Sequence, residues 1–458
     1  MKKNEEQKPD LNRRQFLAGG SFASLLTAFG AVEIKAQDQP EGTKYDANAS
    51  PPVGCGLIGC GTRGREILEN LAQLPNAPVK GICDHYGAYL RRGAKIAKTA
   101  EKYEKYQDLL ANKEVEAVIV ATPTHQHRQI VIDCLKAGKH VYVESPMAHT
   151  IEDARAIAQA ARKHNKVNFQ VGLPYRSDPQ RHFLNNFIKT GVMGRNAMGR
   201  AQWHKKQSWK RFSPNNDRQK EINWRTDKSV SLGLVGEVGL NQLDAANWTY
   251  RKNPVAVTGM GSFIQWNKDT QDVPNNVQVI LEYPDGVNLI FHSSLANSFD
   301  SDYEIYYGSH SALMVRDDKA WMFKEADSPL LGWEVYARKD KFQEEEGVAL
   351  VMNATKLKAQ GTDGAENAQV FKETPLFYAL KAFVSNSYAH QSAAEDFAAL
   401  FGDDAEALSD YLVETNEKKQ PYADYQIGYE AAVTAIKANE AITTGKRIEF
   451  KKEWFELG

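Results

Sequence analysis

Cysteine is scarce in this sequence. Cys55, Cys60, Cys83 and Cys134 are its whole complement, and all fall in the first third of 458 residues. No C-x-x-C pair and no Cys/His ligand spacing occurs, which argues against a zinc site or dithiol redox chemistry, and no metal ligands are assigned. Four dispersed thiols do not make a disulfide framework; they read as buried small hydrophobes. Charge of one sign is equally missing. The 57 Lys and Arg against 58 Asp and Glu leave a net charge of −1, so no global field draws the chain to nucleic acid. Long hydrophobic runs are absent downstream of the N-terminus, which leaves no membrane span in a mature chain. No internal repeat stands out. Hydrophobic residues make up 42% and charged residues 25%, the balance of a globular protein, and the length implies two or three domains.

What is present begins at the N-terminus. Residues 1–11 are polar; Asn12-Arg13-Arg14-Gln15-Phe16-Leu17 follows, then a weakly apolar run from Ala18 to Val32 containing Gly19, Gly20 and Gly30. Paired arginines before a short, glycine-containing apolar segment resemble a twin-arginine export signal over residues 1–36, cleaved near Ala36. That implies a periplasmic or otherwise exported protein. Residues 37–52 are polar, proline-containing and aperiodic, and read as a linker or arm.

The chain is organised around Val53 to Gly64. An apolar run ends at Gly59, and Gly59, Gly61 and Gly64 fall in G-x-G-x-x-G spacing, with Thr62 and Arg63 inside the turn. The next residues, Arg65 to Leu71, carry apolar side chains at helical intervals. A strand–turn–helix of this kind aims backbone N–H groups and a helix N-terminus at a pyrophosphate. The first glycine permits the turn, the second lets the phosphate approach, and the third lets helix and strand pack closely. A second apolar run, Val79 to Cys83, ends in Asp84, where a carboxylate would accept from the adenosine ribose hydroxyls. Asp84 also repels a 2′-phosphate, so NAD is favoured over NADP, with Arg91 and Arg92 close enough in sequence to keep NADP open.

Short apolar runs then alternate with helical segments. Strands are expected at 53–58, 79–83, 115–121, 140–143 and 167–171, and helices near 64–73, 87–101, 126–137 and 151–164. This alternation predicts an α/β fold whose N-terminal part, 53–172, is a nucleotide-binding Rossmann domain with a doubly wound parallel sheet. Beyond residue 173 the texture changes. Alternating segments at Val255–Phe263, Val277–Tyr283, Val287–Ser293, Tyr303–Tyr307 and Ala312–Val315 are separated by turn signals such as Pro284-Asp285-Gly286. They predict a C-terminal α+β domain, 173–458, built on a large open, mainly antiparallel sheet with one face covered. Helices are expected around 376–389, 392–400 and 427–444; the polar stretch 340–374 carries no assignment.

At Ala121-Thr122-Pro123-Thr124-His125-Gln126-His127 the pattern becomes specific. A strand ending in Ala-Thr-Pro, a histidine four residues after the proline, Cys134 to Val141, and Val143-Glu144-Ser145-Pro146-Met147 together resemble the glucose–fructose oxidoreductase/inositol dehydrogenase (Gfo/Idh/MocA) family. Tyr425 to Phe450 resembles the family's closing helix and strand. The resemblance implies a substrate, usually a sugar or polyol, held between the two domains at the nicotinamide, and an open sheet that supports a homo-oligomer, dimer or tetramer. It adds Thr122, Pro123, His127, Glu144 and Ser145 to Gly59, Gly61, Thr62, Arg63, Gly64 and Asp84 as cofactor-binding residues.

The departures from that pattern are informative. The family's Glu-Lys-Pro places a lysine at the reacting hydroxyl, and this chain has Ser145 there. Its Asp-x-Gly-x-His-x-x-Asp signature reads Glu237-Val238-Gly239-Leu240-Asn241-Gln242-Leu243-Asp244, with Asn241 in the histidine position. Oxidising an alcohol needs a group that takes the hydroxyl proton, and neither serine nor asparagine titrates near neutral pH. Glu237 and Asp244 are the leading replacements. Tyr175 is another, if Arg176 or a lysine lowers its pKa. Lys206 is a third: strand alternation after Trp203 would put His204 and Lys206 on one face. His149, four residues after Ser145, either reaches the vacated lysine space or caps a helix, and His125 and His127 shape the nucleotide loop. Trp203, Trp209, Trp224 and Trp248 offer stacking platforms for a sugar or ordinary core packing.

These residues imply an exported NAD(P)-dependent oxidoreductase acting on a hydroxyl of a sugar, polyol or glycoside. Outside the cytoplasm nucleotide is scarce, so such a protein should load its cofactor before export and hold it tightly. Two alternatives follow from the missing lysine and histidine. One is an NAD-dependent, redox-neutral glycoside hydrolase working by oxidation, elimination, hydration and reduction. The other is a sugar-binding relative without catalysis.

Overall fold

A computed structural model describes residues 50–264, 272–316, 319–329, 339–342, 345–349, 373–402, 404, 407–408, 410–412 and 419–458. The expected export signal, nearly all of the arm and most of 340–374 lie outside them. The first lobe runs β1 (Cys55–Ile58), α1 (Thr62–Leu71), β2 (Val79–Cys83), α2 (Gly87–Ile96), β3 (Glu101–Tyr103), α3 (Tyr106–Ala111), β4 (Ala117–Val120), α4 (His127–Lys136), β5 (His140–Glu144), α5 (Ile151–Lys163) and β6 (Phe169–Gly172). Its strands form a parallel sheet in the order β3-β2-β1-β4-β5-β6. Strand order reverses between β1 and β4, and a crevice at their carboxyl ends is where an open α/β sheet takes its ligand. β1, β4 and β5 are buried along their whole length, as a sheet covered on both faces requires. The edge strand β3 was not expected. It is three residues long and largely exposed, too short to show a period, and the helix expected over 87–101 stops at Ile96 to make room for it.

The second lobe follows with α6 (Pro179–Lys189), β7 (Asn196–His204), α7 (Asn216–Ile222), α8 (Gly233–Glu237), α9 (Leu240–Tyr250), β8 (Ala256–Ser262), β9 (Asn276–Glu282), β10 (Asn288–Ser294), β11 (Asp302–Gly308), β12 (Ser311–Arg316), β13 (Lys319–Lys324), β14 (Lys339–Phe342) and β15 (Glu345–Ala349). Then come α10 (Pro375–Phe401), α11 (Tyr425–Thr444) and the short β16 (Ile448–Glu449). The described strands make a sheet of order β14-β15-β13-β12-β11-β7-β10-β9-β8-β16, antiparallel except where β10 runs parallel to β7. This is the open, mainly antiparallel sheet the alternating pattern implied. Part of the unassigned stretch, β14 and β15, is a hairpin at its edge. One face is covered: Leu243 and Ala246 of α9, Phe187 of α6 and Ala438 of α11 pack on Val279, Leu289 and Phe291.

The chain returns to the first lobe at its end. Leu380 and Phe383 of α10 pack with Ile67, Leu68 and Tyr142 on one face of the parallel sheet. Tyr429, Ala432 and Val433 of α11 join Ile157 and Ala158 on the other. Two helices were expected across 376–400; there is one, and polar residues in its middle hid it. Asn386 exchanges hydrogen bonds with the Gln420 backbone, Ser387 donates to the Phe383 carbonyl, and His390 lies 2.6 Å from the Asn165 carbonyl. Asn386 and His390 thereby tie loops to the core, and Ser387 bonds back within the helix, so none of the three ends it. All four cysteines are buried and unpaired, and burial pushes the thiols of Cys55, Cys60 and Cys83 up to about 12, as expected of packing residues. No helix among the described residues is long and apolar enough to cross a membrane.

Candidate active site

The glycine turn between β1 and α1 does what its spacing requires. Gly59 sits at φ 101°, a left-handed conformation that glycine adopts freely. A Cβ on Gly64 would lie 1.8 Å from the Gly59 carbonyl oxygen, so helix and strand approach each other only because that atom is absent. A Cβ on Gly61 would meet nothing within 4 Å; the space it faces is open. No side chain caps α1, and its first N–H groups at Thr62 and Arg63 start the helix beside that space.

Asp84 follows β2 at the edge of this turn, 9% exposed. One carboxylate oxygen accepts from the Cys60 N–H at 2.9 Å and the other from the Tyr86 N–H at 2.8 Å. Each oxygen keeps a lone pair for a ribose hydroxyl. Arg63 reaches across to β5, its Nε 3.1 Å from a Glu144 oxygen, while the other Glu144 oxygen is buried without a partner. Thr122 Oγ1, after β4, is orphaned in the same way. His127 lies between the Thr122 carbonyl at 2.9 Å and the Pro146 carbonyl at 3.1 Å. Burial holds its pKa down to about 4, so the neutral ring donates to one of them and staples the loops after β4 and β5. An open glycine cradle, a preset carboxylate and two buried polar atoms lacking partners fit a dinucleotide. Asp84→Arg is expected to weaken NAD binding about tenfold or more, by removing charge-assisted contacts to the ribose, and to shift preference toward NADP. Titrations with both nucleotides measure it, and an unchanged preference would contradict this placement.

Across the crevice stands Glu237, at the end of α8. Its side chain is only 2% exposed, with Arg225 Nε 3.8 Å away. Thr124 of the first lobe donates at 3.4 Å and the Leu232 N–H at 3.3 Å. All three contacts are long. Burial therefore dominates and raises the Glu237 pKa to about 7, with Arg225 opposing. Gly239, two residues on, holds this turn against β10: a Cβ there would lie 2.5 Å from the Phe291 ring. Asn241 brings a buried Oδ1 that has no partner. His125 and His149, whose rings lie 6.3 Å apart, each leave Nδ1 buried without a hydrogen bond, and burial lowers the pKa of both. Trp224 stands 6.0 Å from His125, and Arg225 lies over the Trp224 ring at 4.7 Å.

The other replacement bases are not free to act. Asp244 receives both arms of Arg176, each at 2.8 Å. That fork leaves it a positioning role, and Arg176 stacks on Trp248 at 4.7 Å. Tyr175 consequently has Arg181 over its ring at 4.1 Å rather than Arg176 at its hydroxyl, and burial raises its pKa instead of lowering it. Lys206 is exposed. β7 ends at His204, so alternation no longer applies; the Lys206 N–H donates to Ser298 on a surface turn. His204 pairs with His292 on β10 at 2.9 Å. Thr124 was not expected at the site, because nothing local to it marks a partner 113 positions away, and Arg225 was not expected because no periodic pattern links it to Glu237.

The fold is two-lobed, with the glycine turn and Asp84 on one side of a crevice and Glu237 on the other. Residues 53–173 match the family model described as the oxidoreductase family's NAD-binding Rossmann fold, and residues 183–312 match the GFO/IDH/MocA C-terminal domain. The chain belongs to the Gfo/Idh/MocA family. Among curated proteins it is 29% identical over 218 residues to a glycosyl hydrolase family 109 protein of Shewanella baltica, covering 44% of this chain and 47% of that one. It is 27% identical over 235 residues to an alpha-N-acetylgalactosaminidase of Shewanella oneidensis, covering 47% and 49%. The chain spans about half the length of the curated relatives it matches. Levoglucosan dehydrogenase in complex with NADH superposes with a TM-score of 0.62 over 87% of this chain and 99% of that one, at 17% identity. An oxidoreductase domain protein from Kribbella flavida gives 0.65 over 88% and 100%, also at 17% identity; both likenesses are of fold.

Proposed function

We propose that this protein uses NAD to oxidise a hydroxyl of a sugar, polyol or glycoside, with Glu237 as the group that takes the hydroxyl proton. The observation that carries this reading is the Glu237 carboxyl itself: buried, set between the lobes and poised at about 7. Bound NAD would supply the hydride acceptor. The chain must supply a destination for the proton, and the residues in the usual positions, Ser145 and Asn241, cannot. A carboxylate near neutrality takes and returns a proton at little cost at working pH. Arg225 steadies its charged form. The orphaned Asn241 Oδ1 and Glu144 Oε1 accept hydrogen bonds, and the His125 and His149 rings can donate or accept them. A hydroxyl-rich ligand satisfies such a lining better than an apolar one.

A second reading, cleavage of a glycoside with no net redox change, is supported by the sequence likeness to glycosyl hydrolase family 109 proteins. It also suits the exported setting that Arg13 and Arg14 imply, where free nucleotide is scarce. Assembly through the open face of the large sheet, where Met260 is 65% and Ile280 44% exposed, belongs to the same proposal. The test is a panel of free sugars, polyols and chromogenic glycosides added to the NAD-loaded protein. Reduced-nicotinamide absorbance appearing in step with substrate marks the oxidoreductase. Aglycone release without it marks the glycosidase. Binding with neither outcome removes Glu237 from a catalytic role.

A further inference from the structure

Between β7 and α8 the second lobe extends a strap, residues 205–232, that lies on the nucleotide-binding lobe. Its geometry is built from its own side chains. Asn223 accepts from the Arg211 N–H at 2.7 Å and donates to the Arg211 carbonyl at 2.8 Å, and Gln219 donates to that carbonyl at 2.8 Å. With its backbone held at both ends, Arg211 sends its guanidinium to within 3.5 Å of Thr62 Oγ1, at the start of α1.

On α7, Arg218 lies over the Tyr86 ring at 3.9 Å and within 4.9 Å of the Tyr89 ring. It pairs with Glu221 at 2.8 Å, and Glu221 lies 3.2 Å from His85. Tyr86 is the residue whose N–H holds Asp84 in place. The strap thus touches the first lobe at both the phosphate turn and the ribose carboxylate. Further along the strap, Arg225 faces Glu237 at 3.8 Å. Burial lowers the Arg225 pKa, Glu237 and Glu144 oppose that, and Arg211 adds to the lowering, so Arg211 brings a second positive charge to the same side of the crevice.

We propose that Arg211 is a pyrophosphate-binding residue delivered from the second lobe, and that the Arg218–Glu221 latch on Tyr86 and His85 keeps the strap closed over the nucleotide. The inference rests on the dinucleotide reading of the crevice and supplies a physical basis for tight retention. A guanidinium facing a diphosphate makes charge-assisted, forked contacts that the glycine turn alone cannot. Dissociation must then first break the latch, so the strap acts on the off-rate.

The test follows the release of NAD from saturated protein after free nucleotide is removed. Arg211→Ala and Arg218→Ala are each expected to speed release about tenfold to a hundredfold, the loss of one charged hydrogen-bond set. Arg211→Lys should fall between. Release from the wild-type protein should also quicken as ionic strength rises. Wild-type release rates in both alanine variants, or a salt-independent wild-type rate, would overturn the strap while leaving the nucleotide site standing. A wild-type protein that holds no NAD at saturation would overturn both.

Discussion

Glu237→Gln should lower turnover of any accepted carbohydrate by about 10²–10⁴, the range for loss of a positioned general base, while NAD binding stays close to wild type. Glutamine keeps the shape and the contact from Thr124 but cannot take a proton. In the wild-type protein the rate should rise with pH through about 7, where Glu237 ionises, and that limb should flatten in the variant. Stability should move in the opposite sense. The folded carboxyl titrates at about 7 against 4.5 for the free group, so the wild-type protein loses stability as pH rises through that window. The loss approaches about 3 kcal/mol at the linkage rate of one pKa unit per 1.4 kcal/mol. Glu237→Gln should therefore unfold at a higher temperature than wild type at pH 8 (about one unit above the titration) and show little gain at pH 5. A variant that turns over normally, or that gains no stability at alkaline pH, would remove Glu237 from its role.

The glycines of the phosphate turn separate binding from folding. Gly61→Val should purify as a folded protein that has lost nucleotide affinity by about a hundredfold or more, because its side chain occupies the space of two or three charge-assisted contacts. The backbone there, φ −62° and ψ −167°, suits any residue, and no protein atom lies within 4 Å of the added carbon. Gly64→Ala should fail differently. Its methyl carbon would fall 1.8 Å from the Gly59 carbonyl, forcing α1 off β1 at a cost of about 3 kcal/mol or more, the upper range for overpacking. Titration with NAD and thermal unfolding of the two variants distinguish the effects. A Gly61→Val protein that binds NAD like wild type would show that the turn is not a phosphate cradle.

The placement of Gly59, Gly61 and Gly64 in a tight turn between β1 and α1 was legible in the sequence because a strand–turn–helix is local and its glycines act through backbone geometry. Asp84 was legible for the same reason, lying at the end of the next strand. Glu237 was legible only against the family's motif; its state depends on burial by both lobes, which no local pattern reports. Asp244 looked equally free until Arg176, 68 positions away, occupied both its oxygens. α9 escaped notice because it is buried on nearly every side, so no polar face marked its period. The return of α10 to the first lobe was also hidden: its apolar residues show that it packs, not on which sheet. Lys206 failed as a candidate because a strand end, unlike a strand, leaves no periodic trace.

The most direct measurement is a crystal structure determined with saturating NAD. The pyrophosphate is expected against the N–H groups that follow Gly61, the adenosine ribose against Asp84, and the nicotinamide in the crevice facing Glu237. Nucleotide density anywhere else, or a crevice left empty at saturation, would contradict the enzymatic reading of this fold.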